Sequence, residues 1–143
     1  MKKQMLSVAA ALALTLIVAG HCGAQQDPMR VKVPFAFTVG DKGMPAGEYR
    51  VAELAEAKSV QTIRQSDGHE SIMVMTHPVE RKGDASSPRL TFHRYGNRYF
   101  LVQIWSGDAR GRELVKSHVE KELAATLSMH EVAVLASLSS NKL

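Results

Sequence analysis

Two short runs hold the side chains best equipped for chemistry. In His69-Glu70-Ser71-Ile72-Met73-Val74-Met75-Thr76-His77, an extended strand would turn His69, Ser71, Met73, Met75 and His77 to one face. Thioether and imidazole are ligands that soft copper prefers, so His69, Met73, Met75 and His77 form a candidate copper face. The same pattern describes two methionines filling a core, with histidines exposed at the strand ends. The second run is a hairpin tip: His93, Arg94, Tyr95, Arg98 and Tyr99, with Trp105 further along the same strand. Arginine beside aromatic rings suits the recognition of anions, sugars or peptides. The competing description is cross-strand cover, with Tyr95 over the stem of Arg98 and Arg94 along Tyr99. Trp105 and the Gly107-Asp108-Ala109-Arg110-Gly111 loop extend the binding surface in the first description; in the second Trp105 is core, with its N–H at the rim.

Catalytic signatures are missing. No serine stands in G-x-S-x-G, and neither H-E-x-x-H nor a P-loop is present. Glu113 and Glu120 are the one pair of carboxylates worth weighing for glycoside cleavage, where the separation between them decides the chemistry. Glu120 also has a structural use, because Ser117-His118-Val119-Glu120 has the spacing of a helix capping box. The expectation is a non-catalytic protein without a cofactor, with a small hydrolase as the alternative and a copper-handling protein as the third reading.

The first 24 residues read as an address. Lys2 and Lys3 precede an uncharged apolar stretch from Met5 to Gly20, followed by small residues, which is the layout of a secretory signal peptide. Cleavage after Ala24 makes 25–143 a single β-rich domain of the periplasm or cell exterior, with no integral membrane span. An uncleaved anchor and lipoprotein processing at Cys22 are the rivals; the bulky His21 before Cys22 opposes the second. Cys22 is the sole cysteine, so the domain has no disulfide to lean on and must be held by burial. Loss of Lys2 and Lys3 takes the net charge from +4 to +2. The remaining cations are interspersed with acids, not gathered into the basic stripe of a nucleic-acid reader.

Period-two hydrophobicity dominates the chain beyond the signal. Val31, Val33, Phe35, Phe37 and Val39 share a face, with Pro34 marking an edge or a bulge. The next strands are Glu48–Leu54, Val60–Arg64 and Ser71–Thr76, the last closed by Pro78; Arg81–Pro88 reads as an exposed loop. Leu90–Tyr95 and Arg98–Trp105 flank Gly96-Asn97, a pair suited to a type II′ turn. That turn predicts the register Tyr95–Arg98, Arg94–Tyr99, His93–Phe100, Phe92–Leu101 and Thr91–Val102. Strand 99–105 is apolar on both faces and calls for cover on each. Val119, Leu123 and Leu127 give the following helix a stripe with which to provide it, and Val132–Leu138 reads as a last strand or a continuation of the helix.

VPFAFTVGDKGMPAGEYRV, the hairpin FHRYGNRYFLVQIW, then GRELVKS and EKEL together resemble a family of small secreted proteins of unknown function abundant in acidobacterial genomes. The resemblance spans nearly all of the chain after the signal and implies a Gram-negative exported protein. It carries over no activity and no site residues. The fold expected from the residues is mainly β: an antiparallel meander of about seven strands forming a small barrel or sandwich, with one α-helix near the C-terminus. Such a body suits a binding or structural module, its partner an envelope protein or a small apolar ligand in the barrel mouth.

Overall fold

A computed structural model of the protein describes residues 27–81, 87–107 and 110–138. The signal segment, Cys22 and the middle of the 107–111 loop lie outside them. Ten strands form: β1 (Met29–Val33), β2 (Phe37–Val39), β3 (Lys42–Met44), β4 (Gly47–Leu54), β5 (Ala57–Gln65), β6 (Ser71–Glu80), β7 (Arg89–Tyr95), β8 (Arg98–Trp105), β9 (Arg110–Leu114) and β10 (Met129–Leu138). One helix, α1 (His118–Thr126), lies between β9 and β10.

Eight of the strands close an antiparallel barrel in the cyclic order β8-β7-β10-β1-β4-β5-β6-β9, with β9 returning to β8. Two meanders, β4-β5-β6 and β7-β8-β9, make most of the wall. One seam between them is filled by β1 and β10, and the other is the direct pairing of β6 with β9. The barrel answers the choice between barrel and sandwich, and a closed sheet has no free edge to aggregate through.

Alternate residues fill the interior. Val31 and Val33 of β1, Tyr49 and Val51 of β4, Ile63 of β5, and Leu90 and Phe92 of β7 belong to one buried cluster. At its aromatic centre, Phe92 meets Phe35 and Phe37 edge-on, with ring centroids 5.0 and 5.3 Å away, and Phe37 meets Tyr49 at 5.2 Å. Such pairs add about 0.5–1.5 kcal/mol each beyond the area they bury.

The expected single strand 31–39 is broken at Pro34, which has no N–H to give to a ladder, and its second half turns away as β2. Gly40, at a φ of +59° that side chains other than glycine's rarely adopt, turns β2 into β3 within what reads in sequence as a link. The hairpin's Phe37, Val39 and Met44 join the core, and Thr38 takes one parallel bridge to Phe100 of β8. β2–β3 therefore stops one end of the barrel.

Three further expectations need correction. β6 runs on through Pro78, which pairs with Arg112; beyond Met75 the strand has lost β5, so a residue without an N–H is tolerated. The β7–β8 register holds from the turn to Phe92–Leu101 and then slips: a bulge gives Thr91 to Gln103 and leaves Val102 over. Met73 and Met75 are not core filler, being 67% and 72% exposed on the outside of the barrel.

β9 has no period-two apolar pattern to announce it, yet it completes the wall. Gly111 makes the fit possible: a Cβ there would lie 2.6 Å from Trp105 Cε3. We expect Gly111→Ala to lower stability by about 1–3 kcal/mol, as overpacking does, read from the urea midpoint. Tyr49 supplies a second test. Its buried hydroxyl donates to the Pro45 carbonyl, and burial, then the charges of Glu70 and Asp67, push its pKa from 10.0 to about 12. Because the folded state favours the neutral phenol, its contribution is complete below pH 10 and is lost as pH rises to about 12. Alkaline unfolding should thus be steeper in the native protein than in Tyr49→Phe over that window.

Candidate functional site at the open mouth

The barrel's two ends differ. The end holding the β7–β8 turn is stopped by β2–β3, with a shallow groove beside Asn97, Arg98 and Tyr99. The opposite end, where β4, β6, β8 and β10 finish and β1, β5 and β9 begin, opens into a cavity of about 610 Å³. Eight strands give an interior that side chains just fill or that holds one small ligand. This barrel is filled at one end and hollow at the other.

The mouth is built by strands that carry the core's own phase one step further. On β4, Tyr49 and Val51 point inward and Glu53 follows them; on β5, Gln61 precedes Ile63; on β9, Arg112 precedes Leu114. Glu53 and Gln61 stand opposite one another across the β4–β5 ladder. Arg112 reaches past β6 and β5 to Glu53, with Nη2 3.4 Å from Oε2, so an ion pair bars the space above the apolar core. Gln61 is only 4% exposed and lines the cavity. Met29, Val51 and Ile104 give apolar wall, and Asp27, Lys58 and Arg110 stand among the lining residues. An amide, an ion pair and an apolar wall can together orient one amphipathic molecule.

The hairpin-tip residues do not form a shared surface. Tyr95 and Trp105 are buried; Tyr99 stacks on Phe35, with centroids 3.8 Å apart, and Arg98 lies over Phe100 at 5.4 Å. Trp105 donates its indole N–H to Gln103 Oε1 at 3.2 Å, with Arg89 over its ring. Arg94 pairs with Tyr99 in the ladder, and its buried Nε meets no partner among the described residues. His93 and Tyr95 instead converge on Glu120. The Tyr95 hydroxyl donates to Glu120 Oε1 at 3.2 Å, and His93 Nδ1 lies 3.4 Å from the same oxygen, off the line of a hydrogen bond. Burial, then the Glu120 charge, raise the Tyr95 pKa and keep its hydroxyl protonated.

Glu120 therefore does only part of its expected capping work. Ser117 Oγ accepts from the Glu120 N–H at 3.2 Å, as a cap should, but the carboxylate turns to Tyr95. It is the one buried residue of α1, at 3% exposure, while Val119 and Leu127 of the stripe remain exposed. A buried carboxylate, more than the apolar stripe, holds the helix to the barrel. Glu113 is occupied elsewhere, 3.4 Å from His77, so the two glutamates serve different partners.

On β6, Met73, Met75 and His77 do share the outer face, while His69 lies in the preceding turn. Met73 and His77 are about 13 Å apart at Cα on an extended strand, too far for one ion to touch both. At most an adjacent pair of these side chains can reach one ion. Among the described residues no three His, Cys, Asp or Glu side chains come together.

The site is thus the open end of a closed eight-stranded antiparallel barrel. Neither protein-family models, nor curated protein sequences, nor solved structures contain a match to this chain.

The Glu120 anchor makes a direct prediction. Glu120→Ala leaves the buried Tyr95 hydroxyl without its acceptor, costing about 1–3 kcal/mol. Amide exchange over 118–126 should quicken, whereas Val119→Ala should change stability by no more than about 0.5 kcal/mol.

Proposed function

We propose that this chain is an exported, non-catalytic binding module of the periplasm or cell exterior that holds one small amphipathic ligand in the open mouth of its barrel. The observation that carries this reading is the mouth itself: a cavity of about 610 Å³ that takes apolar wall from Met29, Val51 and Ile104 and polar lining from Gln61, Glu53 and Arg112. The cavity size falls within the range usual for small-molecule sites. The apolar walls come from residues that also serve the core, so the pocket needs no rearrangement to form.

The rival catalytic reading has less to support it. His93 sits beside the Glu120 carboxylate, and the Ser117 hydroxyl is spent on the helix cap. Neither lies at the mouth.

Titration with the neutral fluorophore N-phenyl-1-naphthylamine tests the proposal. We expect a saturable rise in emission with one site per chain. Ser106→Trp, which places an indole at the mouth, should weaken binding at least about tenfold, a difference of roughly 1.4 kcal/mol. Met75→Trp, on the outer wall, should leave it unchanged. Equal loss in both variants, or no saturable binding, would sink the proposal.

A further inference from the structure

We infer that the outer wall of the barrel carries a second binding face, built on Arg30, Arg50 and Arg64, whose partner is an acidic polysaccharide. The face is independent of the pocket at the mouth.

The three arginines are distant in sequence and adjacent in the fold. Arg30 of β1 pairs with Arg50 of β4, and Arg50 pairs in turn with Arg64 of β5. Each is exposed and follows a buried residue, Met29, Tyr49 or Ile63, so all three project outward. Directly opposed side chains stand about 5 Å apart at Cβ, which makes one row of guanidinium groups across three strands. Exposed Ser137 of β10 and Ser71 of β6 extend the row at its two ends. Like charges directly opposite one another destabilise a sheet, so the fold alone gives no reason for the row. None of the three arginine side chains forms an ion pair, hydrogen bond or ring contact among the described residues. The acids beside them are engaged: Glu48 by the Ser66 hydroxyl at 3.3 Å, Glu70 by Lys42 at 2.7 Å, Asp67 by the His69 N–H at 3.0 Å. Lys32, two residues along β1 from Arg30, adds positive charge. Outside the described residues the only acids are Asp84 and Asp108, in the β6–β7 and β8–β9 connections. Every ladder position flanking Arg50 and Arg64 is described.

The chemistry of the row selects the partner. A guanidinium takes an anionic oxygen pair through parallel N–H groups, so a line of them suits an anion repeated along a chain. A lipid surface is met by a broad apolar face set in cations, whereas this line ends in serines. Single-stranded nucleic acid is held partly by stacking on aromatic rings, and β1, β4 and β5 present none on their outer face. The Ser71 and Ser137 hydroxyls bond to no described residue and match a chain that bears hydroxyl groups between its carboxylates. A polyuronate has both groups.

Calorimetric titration of the purified protein with polygalacturonate tests the inference, beside the same polymer methyl-esterified, an oligothymidylate and phosphatidylglycerol vesicles. We expect polygalacturonate to bind at least about tenfold more tightly than each of the other three. Arg50→Gln with Arg64→Gln should weaken that binding at least about tenfold. Lys116→Gln with Lys121→Gln removes the same charge around α1 and should weaken it less than about twofold, since exposed charges away from the contact are screened. The arginine double variant should melt no lower than the native protein, because it relieves opposed charges. A lower melting midpoint would assign the row to the fold and overturn the inference. So would equal binding of the oligothymidylate or the vesicles, equal loss in the two double variants, or no binding of polygalacturonate.

Discussion

Closure of the sheet is the constraint on which the rest depends, and five residues accomplish it. β9 pairs with β8 on one side and β6 on the other, joining the two meanders into a ring. Without it, both meanders would present unpaired edges to solvent, and the core between them would lose a wall. β9 can come close enough only because Gly111 has no side chain where the Trp105 ring lies. Its alternation then gives Leu114 to the core and Arg112 to the mouth. One short strand thus supplies closure and the mouth's principal cation.

Once the ring is closed, its two ends must be finished, and the chain does so unequally. A proline and a glycine near the N-terminus fold β2–β3 over one end, where Phe37 completes an aromatic cluster. That end is fastened again from outside by α1, whose hold is a carboxylate on a buried phenol. The opposite end receives neither plug nor helix. Its boundary with solvent is drawn by Arg112, Glu53 and Gln61, polar groups that end the apolar core without filling the space above it. The hollow follows from where the covering elements were spent.

Most of the wall was legible as period-two alternation, and so were the β7–β8 turn and the helix cap, because each is a local pattern. What escaped depended on partners distant in sequence. β9 reads as a loop because Arg110-Gly111-Arg112-Glu113-Leu114 has one apolar side chain; its strand character comes from the two strands it joins. Met73 and Met75 look like core by type, but the alternation of Ile72 and Val74 had already assigned them to the outside. The site itself left a fainter trace. Glu53, Gln61 and Arg112 each stand two residues from a core side chain, on the core's own phase. Polar residues that continue an apolar face mark where a barrel interior stops being filled, whereas the search for reactive residue types led to the hairpin tip and the methionine strand.

The central claim is one of place: that the ligand sits at the mouth beside Gln61. The most direct measurement is the side-chain amide resonance of Gln61 in the ¹⁵N-labelled protein, followed as N-phenyl-1-naphthylamine is added to saturation. The account predicts a large, saturable shift there and at the Ile104 amide, with the resonances of Asn97 and Arg98 at the stopped end unmoved. Shifts confined to the stopped end, with Gln61 unchanged, would contradict it.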